Sequence, residues 1–302
     1  MSGKKQPILI VFLILGFVAL FLGATMIFVL AFFGPSSDFS FGEKIGVILV
    51  EGPITDSRPI TAQLVKFKKD ETIRAIILRI DSPGGGVGPS QEIYREVMRT
   101  KKTKKVIASM GGLAASGGYY IAAATDKIVA NPGTITGSIG VIMEFVRLEE
   151  LFKKLGISLE VMKSGEFKDI GSPHRKMTER EKELLQSLLS DIQGQFVRAV
   201  ARGRKLSEEK VREIADGRIV SGSRAKELGL VDRLGNFQDA VALAKKMSGI
   251  KGEVRLVYPE KPGFRLRDLL FESAAKAFQT VIQTRPQSRI EYRWRGVPSP
   301  PD

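Results

Sequence analysis

Two stretches of this chain repeat one pattern, and that pattern restricts the fold more than any other feature. In each, a short run of β-branched and apolar residues meets a glycine turn and then a helix-forming segment. Ala75 to Ile80 runs into Asp81-Ser82-Pro83-Gly84-Gly85-Gly86, with a helix expected from Ser90 to Arg99. Lys105 to Ser109 runs into Met110-Gly111-Gly112-Leu113-Ala114-Ala115-Ser116-Gly117-Gly118-Tyr119-Tyr120, with Ile121 to Thr125 helical. Strands without polar alternation are buried on both faces, which points to an α/β fold with a largely parallel sheet. Ile45 to Val50 is a third such strand. Both glycine turns lie at the C-terminal ends of their strands, the edge where open α/β sheets hold ligands.

Ser116 is the residue of chemical interest in the second turn. At the start of a helix its hydroxyl would sit among backbone N–H groups that lack intrahelical partners. Gly117 and Gly118 carry no side chains, so a substrate backbone could approach closely. An exposed oxygen beside N–H donors is what an acyl-transfer nucleophile requires. A serine that merely caps a helix has the same local sequence. The first turn is open in the same way. Gly-Gly-Gly-Val-Gly lacks the Gly-Lys-Ser/Thr ending of a phosphate loop, which leaves an oxyanion donor or a plain tight turn.

The remaining chain sets the organisation. Residues 1–7 are a cytoplasmic N-terminus carrying Lys4 and Lys5. Residues 8–33 hold no charge and are expected to form a transmembrane anchor, since about 20 apolar residues suffice to span a bilayer. With basic residues only before the span, the rest of the chain is expected on the extracytoplasmic side. A cleaved signal peptide is the alternative, though its apolar core would be shorter, roughly 7–15 residues. Residues 34–44 read as a linker and 45–260 as one domain, with no internal break. Ile157 to Met162 reads as a strand. Thr178 and Glu181 form a capping box opening a long helix with Leu184, Leu185, Leu188, Ile192, Phe196 and Val200 as its apolar stripe. Residues 261–284 read as an amphipathic helix, and 285–302, rich in Arg and Pro, as a disordered tail.

Composition closes several routes. The 302 residues include no Cys and one His, His174. Disulfides, thiol nucleophiles and metal sites built on several His are therefore excluded within one chain, and no metal or cofactor is expected. A Ser-His hydrolase would have to use His174. The formal net charge is +14, but the basic residues are spread along the chain without a nucleic-acid motif. Anionic lipid head groups account for that charge more simply than nucleic acid does.

Four blocks taken together resemble the signal peptide peptidase A family of Ser-Lys membrane proteases. They are Asp-Ser-Pro-Gly-Gly-Gly at 81–86, Ala-Ala-Ser-Gly-Gly-Tyr-Tyr at 114–120, Thr-Gly-Ser-Ile-Gly-Val at 136–141 and Lys-Ser-Gly-Glu-Phe-Lys-Asp-Ile at 163–170. The resemblance covers about Ile45 to Asp239. It implies a Clp protease/crotonase-like fold of stacked β-β-α units, here preceded by one transmembrane helix. It implies Ser116 as nucleophile, Lys168 as general base, Ser138 as the residue orienting Lys168, and the backbone N–H groups of Gly85 and Gly117 as oxyanion donors. Lys163 is the runner-up base, and without the resemblance Lys168 is one solvated lysine among many. Double-length members of the family carry two copies, with serine and lysine from different halves. This single copy is therefore expected to form a homo-oligomeric ring in which neighbours share the dyad. Signal peptides and other extended apolar peptides are the implied substrates.

Overall fold

The computed structural model describes residues 6–33, 43–259 and 290–293. The chain divides into two units, Met1–Phe41 and Gly42–Asp302. In the first, α1 spans Gln6–Phe33 as one helix. Its described side chains, Ile14–Met26 and Phe28, are all exposed in the single chain. Among the described residues no helix is long and apolar enough to cross a membrane. The run of α1 whose side chains are described is shorter than the roughly 20 residues a span needs, so the anchor rests on the sequence.

The second unit opens with β1 (Glu43–Glu51), α2 (Arg58–Lys69), β2 (Ile73–Ser82), β3 (Gly84–Gly86) and α3 (Val87–Thr100). It continues through β4 (Lys105–Ala115), α4 (Gly117–Ala123), β5 (Lys127–Ala130), β6 (Ile135–Gly137), β7 (Ile142–Met143) and α5 (Glu149–Lys154). Then come α6 (Glu179–Arg204), α7 (Glu208–Arg212), β8 (Ile219–Ser221), α8 (Gly222–Glu227), β9 (Arg233–Leu234), α9 (Phe237–Ser248), β10 (Val254–Val257) and β11 (Ile290–Arg293).

The main sheet runs β10-β1-β2-β4-β5-β9, with every pair parallel. β6 joins β4 in parallel and carries β8 antiparallel. This is the parallel-rich α/β architecture that the apolar strands predicted. The continuous apolar runs split by period two between the faces. Ile76, Leu78 and Ile80 of β2 share a core with Val97 of α3, Tyr119 and Ile121 of α4, and Phe196 and Val200 of α6. Ala75 and Ile77 face the opposite way with Ile107 and Val129, under Ala240 and Ala244 of α9.

The Thr178 box forms as read. Its hydroxyl accepts from the Glu181 N–H, and the Glu181 carboxylate accepts from the Thr178 N–H. Two local expectations differ. Residues 157–162 form no strand: Ile157, Leu159 and Val161 are each about half exposed, and among the described residues no strand pairs with them. Within the stretch read as a disordered tail, Ile290–Arg293 forms β11, antiparallel to β3 on one side and β7 on the other. The amphipathic helix expected at 261–284 lies outside the described residues.

Candidate active site

β4 delivers Ser116 through a bulge. Its pairing with β2 holds as far as Ile80 opposite Met110 and resumes at Ser82 opposite Ala114. The surplus residues, Gly111 to Leu113, are gathered by the Asp81 carboxylate, which accepts from the N–H of Gly112 at 3.4 Å and of Leu113 at 3.1 Å. A Cβ on Gly111 would sit 2.5 Å from Asp81 Oδ2, so the approach requires glycine there. A bulge bends its strand and re-aims the residues beyond it. Past it, the end of β4 pairs with β6, Ala115 opposite Gly137.

Ser116 then turns the chain with φ 53° and ψ −116°, and α4 starts at the next residue. A non-glycine residue held at such angles costs on the order of 1–3 kcal/mol, so the surrounding structure must impose it. The Ser116 N–H donates to the Gly137 carbonyl at 2.9 Å, and the Ser116 carbonyl accepts from the Tyr120 N–H at 2.8 Å. Its side chain makes no capping hydrogen bond, so helix capping does not explain the serine. Ser138, next along from Gly137, has φ 50° and donates its N–H to the Arg218 carbonyl at 2.8 Å. Lys205 is the third described non-glycine residue with positive φ, and it ends α6 as an ordinary left-handed cap. The other two are the serines that the resemblance singles out.

The two glycine turns meet at this point. A Cβ on Gly117 would lie 3.2 Å from the Gly85 nitrogen and 3.2 Å from the Gly84 Cα. Gly85 and Gly117, the expected oxyanion donors, thus converge beside Ser116. The Gly84 turn is pinned by Ser82, whose Oγ accepts from the Gly84 N–H at 3.1 Å and donates to the Gly52 carbonyl at 2.6 Å. The same spot holds a residue that the sequence did not flag. Ser90 is fully buried, its Oγ has no hydrogen-bond partner among the described residues, and a Cβ on Gly117 would come within 2.6 Å of it.

Lys168 belongs to a different segment of the chain. It sits in the turn-rich segment between α5 and α6, exposed, with its N–H donating to the Gly165 carbonyl at 3.1 Å. Ser116 is 1% exposed, and no described hydrogen bond links Lys168 to Ser116 or Ser138. The segment is held by an ionic cluster. Arg175 donates to both Asp169 carboxylate oxygens, at 2.8 and 2.7 Å, and to both Glu181 oxygens, at 2.5 and 2.8 Å. The Arg175 guanidinium, and after it Lys163, hold the Asp169 carboxyl well below the usual carboxylate range. Arg175 likewise lowers Glu181. Lys163, the runner-up base, is engaged at 2.7 Å with Asp169 and at 2.9 Å with the Glu166 carbonyl. The His174 Nδ1 lies 2.7 Å from Ser172 Oγ, and among the described contacts it reaches no residue of the Ser116 turn.

A serine on a strained strand-to-helix turn against a second glycine turn is the kind of backbone setting serine hydrolases use. The family model of Peptidase family S49 matches residues 98–251, which include Ser116, Ser138 and Lys168. The chain belongs to peptidase family S49. The Clp protease family model matches residues 42–134, the β1 to β5 part of the sheet, in keeping with a Clp protease-like fold. A Synechocystis sp. protein named "Putative protease" is 46% identical over 224 residues, 73% of this chain and 81% of that protein. An Enterococcus faecium protein named "Putative signal peptide peptidase SppA" is 42% identical over 185 residues, 61% of this chain and 54% of that protein. The chloroplastic serine protease SPPA of Arabidopsis thaliana is 36% identical over 230 residues, 73% of this chain but 34% of its own length. The resemblance to the signal peptide peptidase A family therefore holds, and this family S49 chain is a serine protease.

Proposed function

We propose that this S49 protease is a membrane-anchored endopeptidase that degrades cleaved signal peptides and similar extended apolar peptides through a Ser116-Lys168 dyad. The observation that carries it is the strained Ser116 turn, with its hydroxyl free of capping duty and Gly85 and Gly117 at its side. In the acylation step the Lys168 amine takes the Ser116 proton as Oγ attacks the substrate carbonyl. The oxyanion is met by the N–H groups of Gly117 and Gly85. The proton passes to the leaving amine, and water then releases the acyl group by the same route. Ser138 orients the amine.

A lysine acts as base only when uncharged, and at its ordinary pKa near 10.4 it is mostly charged at neutral pH. Burial disfavours the ammonium. Lys168 is exposed in the single chain, so a neighbouring subunit has to supply that burial, and with it the Ser116 that Lys168 serves. Exposed apolar side chains in the stretch between β7 and α6 that also carries Lys168 support such an assembly: Val146, Leu155, Ile157, Leu159, Val161 and Met162, the last 97% exposed. The anchor is Ile8–Phe33, with Lys4 and Lys5 on the cytoplasmic side and the catalytic unit across the membrane. No metal, cofactor or nucleic acid takes part in this reading.

The test is hydrolysis of a signal-peptide-like fluorogenic substrate by the full chain in detergent. Ser116→Ala and Lys168→Ala should each reduce kcat by about 10³-fold or more, the scale on which loss of one member of a catalytic unit is felt. A Lys168→Ala rate equal to wild type would remove the lysine from the mechanism.

A further inference from the structure

Every strand of the main sheet runs the same way, so the strand starts gather at one edge, opposite the edge that carries Ser116. That edge is basic. Arg74 stands at the start of β2, and Lys105 opens β4 opposite Ala75. Lys101, Lys102 and Lys104 lie in the connection from α3 into β4. α9 closes beside them, with Lys245 and Lys246 in its last turn and Ser248 at its end.

A cavity of about 610 Å³ opens here. Arg74, Lys101, Lys102, Lys104 and Lys105 are in its wall, with Glu71 the acid among them. Two of these cations are engaged. Arg74 pairs with Glu43 at 3.2 Å. Lys104 donates to the Phe67 carbonyl at 2.7 Å and to the Asp70 carbonyl. The side chains of Lys101, Lys102 and Lys105 make no ion pair or hydrogen bond among the described residues. Burial lowers the pKa of the Lys101 and Lys104 amines, so each ammonium would gain from an anion beside it. A phosphate group suits the space, because its several oxygens accept from several ammonium groups at once.

The source of that phosphate follows from the tether. Residues 34–42 join the anchor read at 8–33 to Glu43, the partner of Arg74 in the cavity wall. The ten steps from Phe33 to Glu43 reach at most about 35 Å. With 8–33 in a bilayer, the headgroup phosphates are the anions that this tether keeps at hand.

We propose that the basic edge of the sheet docks on anionic phospholipid, with the headgroup phosphate entering the cavity among Lys101, Lys102 and Lys105. The proposal rests on the reading of 8–33 as a membrane anchor. It also sets which end of the sheet meets the lipid. β4 runs from Lys105 to Ala115, about 30 Å at the rise of a strand, so the Ser116 turn opens away from the headgroups.

The test uses the full chain in neutral detergent. It is titrated with short-chain phosphatidylglycerol, with phosphatidylcholine of the same chain length and with inorganic phosphate, and the melting temperature reports binding. Phosphatidylglycerol should act at a concentration at least about tenfold lower than phosphatidylcholine, since each cation near an anionic surface is worth about fivefold. Added salt should weaken that preference. The triple variant Lys101→Gln, Lys102→Gln, Lys105→Gln should lose it, while hydrolysis of a soluble reporter stays within about twofold of wild type, as for other surface changes. Equal action of the two lipids, a preference kept by the triple variant, or inorganic phosphate matching phosphatidylglycerol would each overturn the proposal. If alkaline carbonate strips the chain from membranes, the anchor reading beneath it fails instead.

Discussion

The backbone N–H of Ser116 donates to the carbonyl of Gly137 at 2.9 Å, and that bond ties the two left-handed serines together. Gly137 is followed by Ser138, so the end of β4 and the end of β6 are locked at adjacent strained positions. The strain is imposed from behind, by the Asp81 clamp on the β4 bulge and by the antiparallel pairing of β6 with β8. A serine needed only for helix capping would not require this support.

The clamp is testable. Asp81→Asn keeps the shape but turns one acceptor into a donor facing the Gly112 and Leu113 N–H groups. Stability should fall by about 0.5–1.5 kcal/mol, the range for one lost hydrogen bond where water can reach the donor. kcat should fall with it as the Ser116 turn relaxes. Urea denaturation alongside substrate hydrolysis checks both.

Gly117→Ala should be more damaging than its size suggests, because the added methyl would press on Ser90 Oγ at 2.6 Å and on the Gly84 backbone at 3.2 Å. Displacing an oxyanion donor costs about 10²–10³ in kcat. Ser90→Ala alone removes a buried hydroxyl that has no partner and should raise stability by about 1 kcal/mol. Combined with Gly117→Ala it should restore part of the lost kcat, as steady-state kinetics would show.

Some of this was legible in the sequence, and the reasons are local. The Thr178-Glu181 box and the buried runs of β1, β2 and β4 depend on near neighbours and periodicity, so they read directly. Ser116 could be singled out as a serine between strand and helix, but its φ could not, because the strain comes from the distant Asp81 clamp and the pairing of β6 with β8. β11 was invisible. Ile-Glu-Tyr-Arg alternates as a strand does, but four residues in an Arg- and Pro-rich tail are too short a signal, and its order comes from two flanking strands and one aromatic pocket. The run 157–162 failed in the opposite sense: its alternation is strand-like, but no strand among the described residues pairs with it.

The ionic cluster around Arg175 predicts the acid behaviour of the Lys168 segment. Asp169 and Glu181 have folded pKa values below their unfolded ones. Their contribution is therefore complete above about pH 4–5 and is lost as pH falls through the lowered values. Arg175→Gln should flatten that dependence and reduce kcat more than it reduces the melting temperature at neutral pH. Thermal melts between about pH 2 and pH 7 provide the check, since the carboxylates titrate there.

His174→Ala should leave kcat/KM within about twofold of wild type, the size of an ordinary surface change of up to about 0.5 kcal/mol. Its contact is with Ser172, two residues away. A large loss would revive the Ser-His reading.

The most direct test of the account uses two dead proteins. Ser116→Ala and Lys168→Ala chains, each inactive alone, are mixed under conditions that let subunits exchange, and hydrolysis of the signal-peptide-like reporter is monitored. If Lys168 of one subunit serves Ser116 of the next, activity returns in the mixed assembly. Mixed assemblies that form and stay inactive would contradict a dyad shared between neighbours.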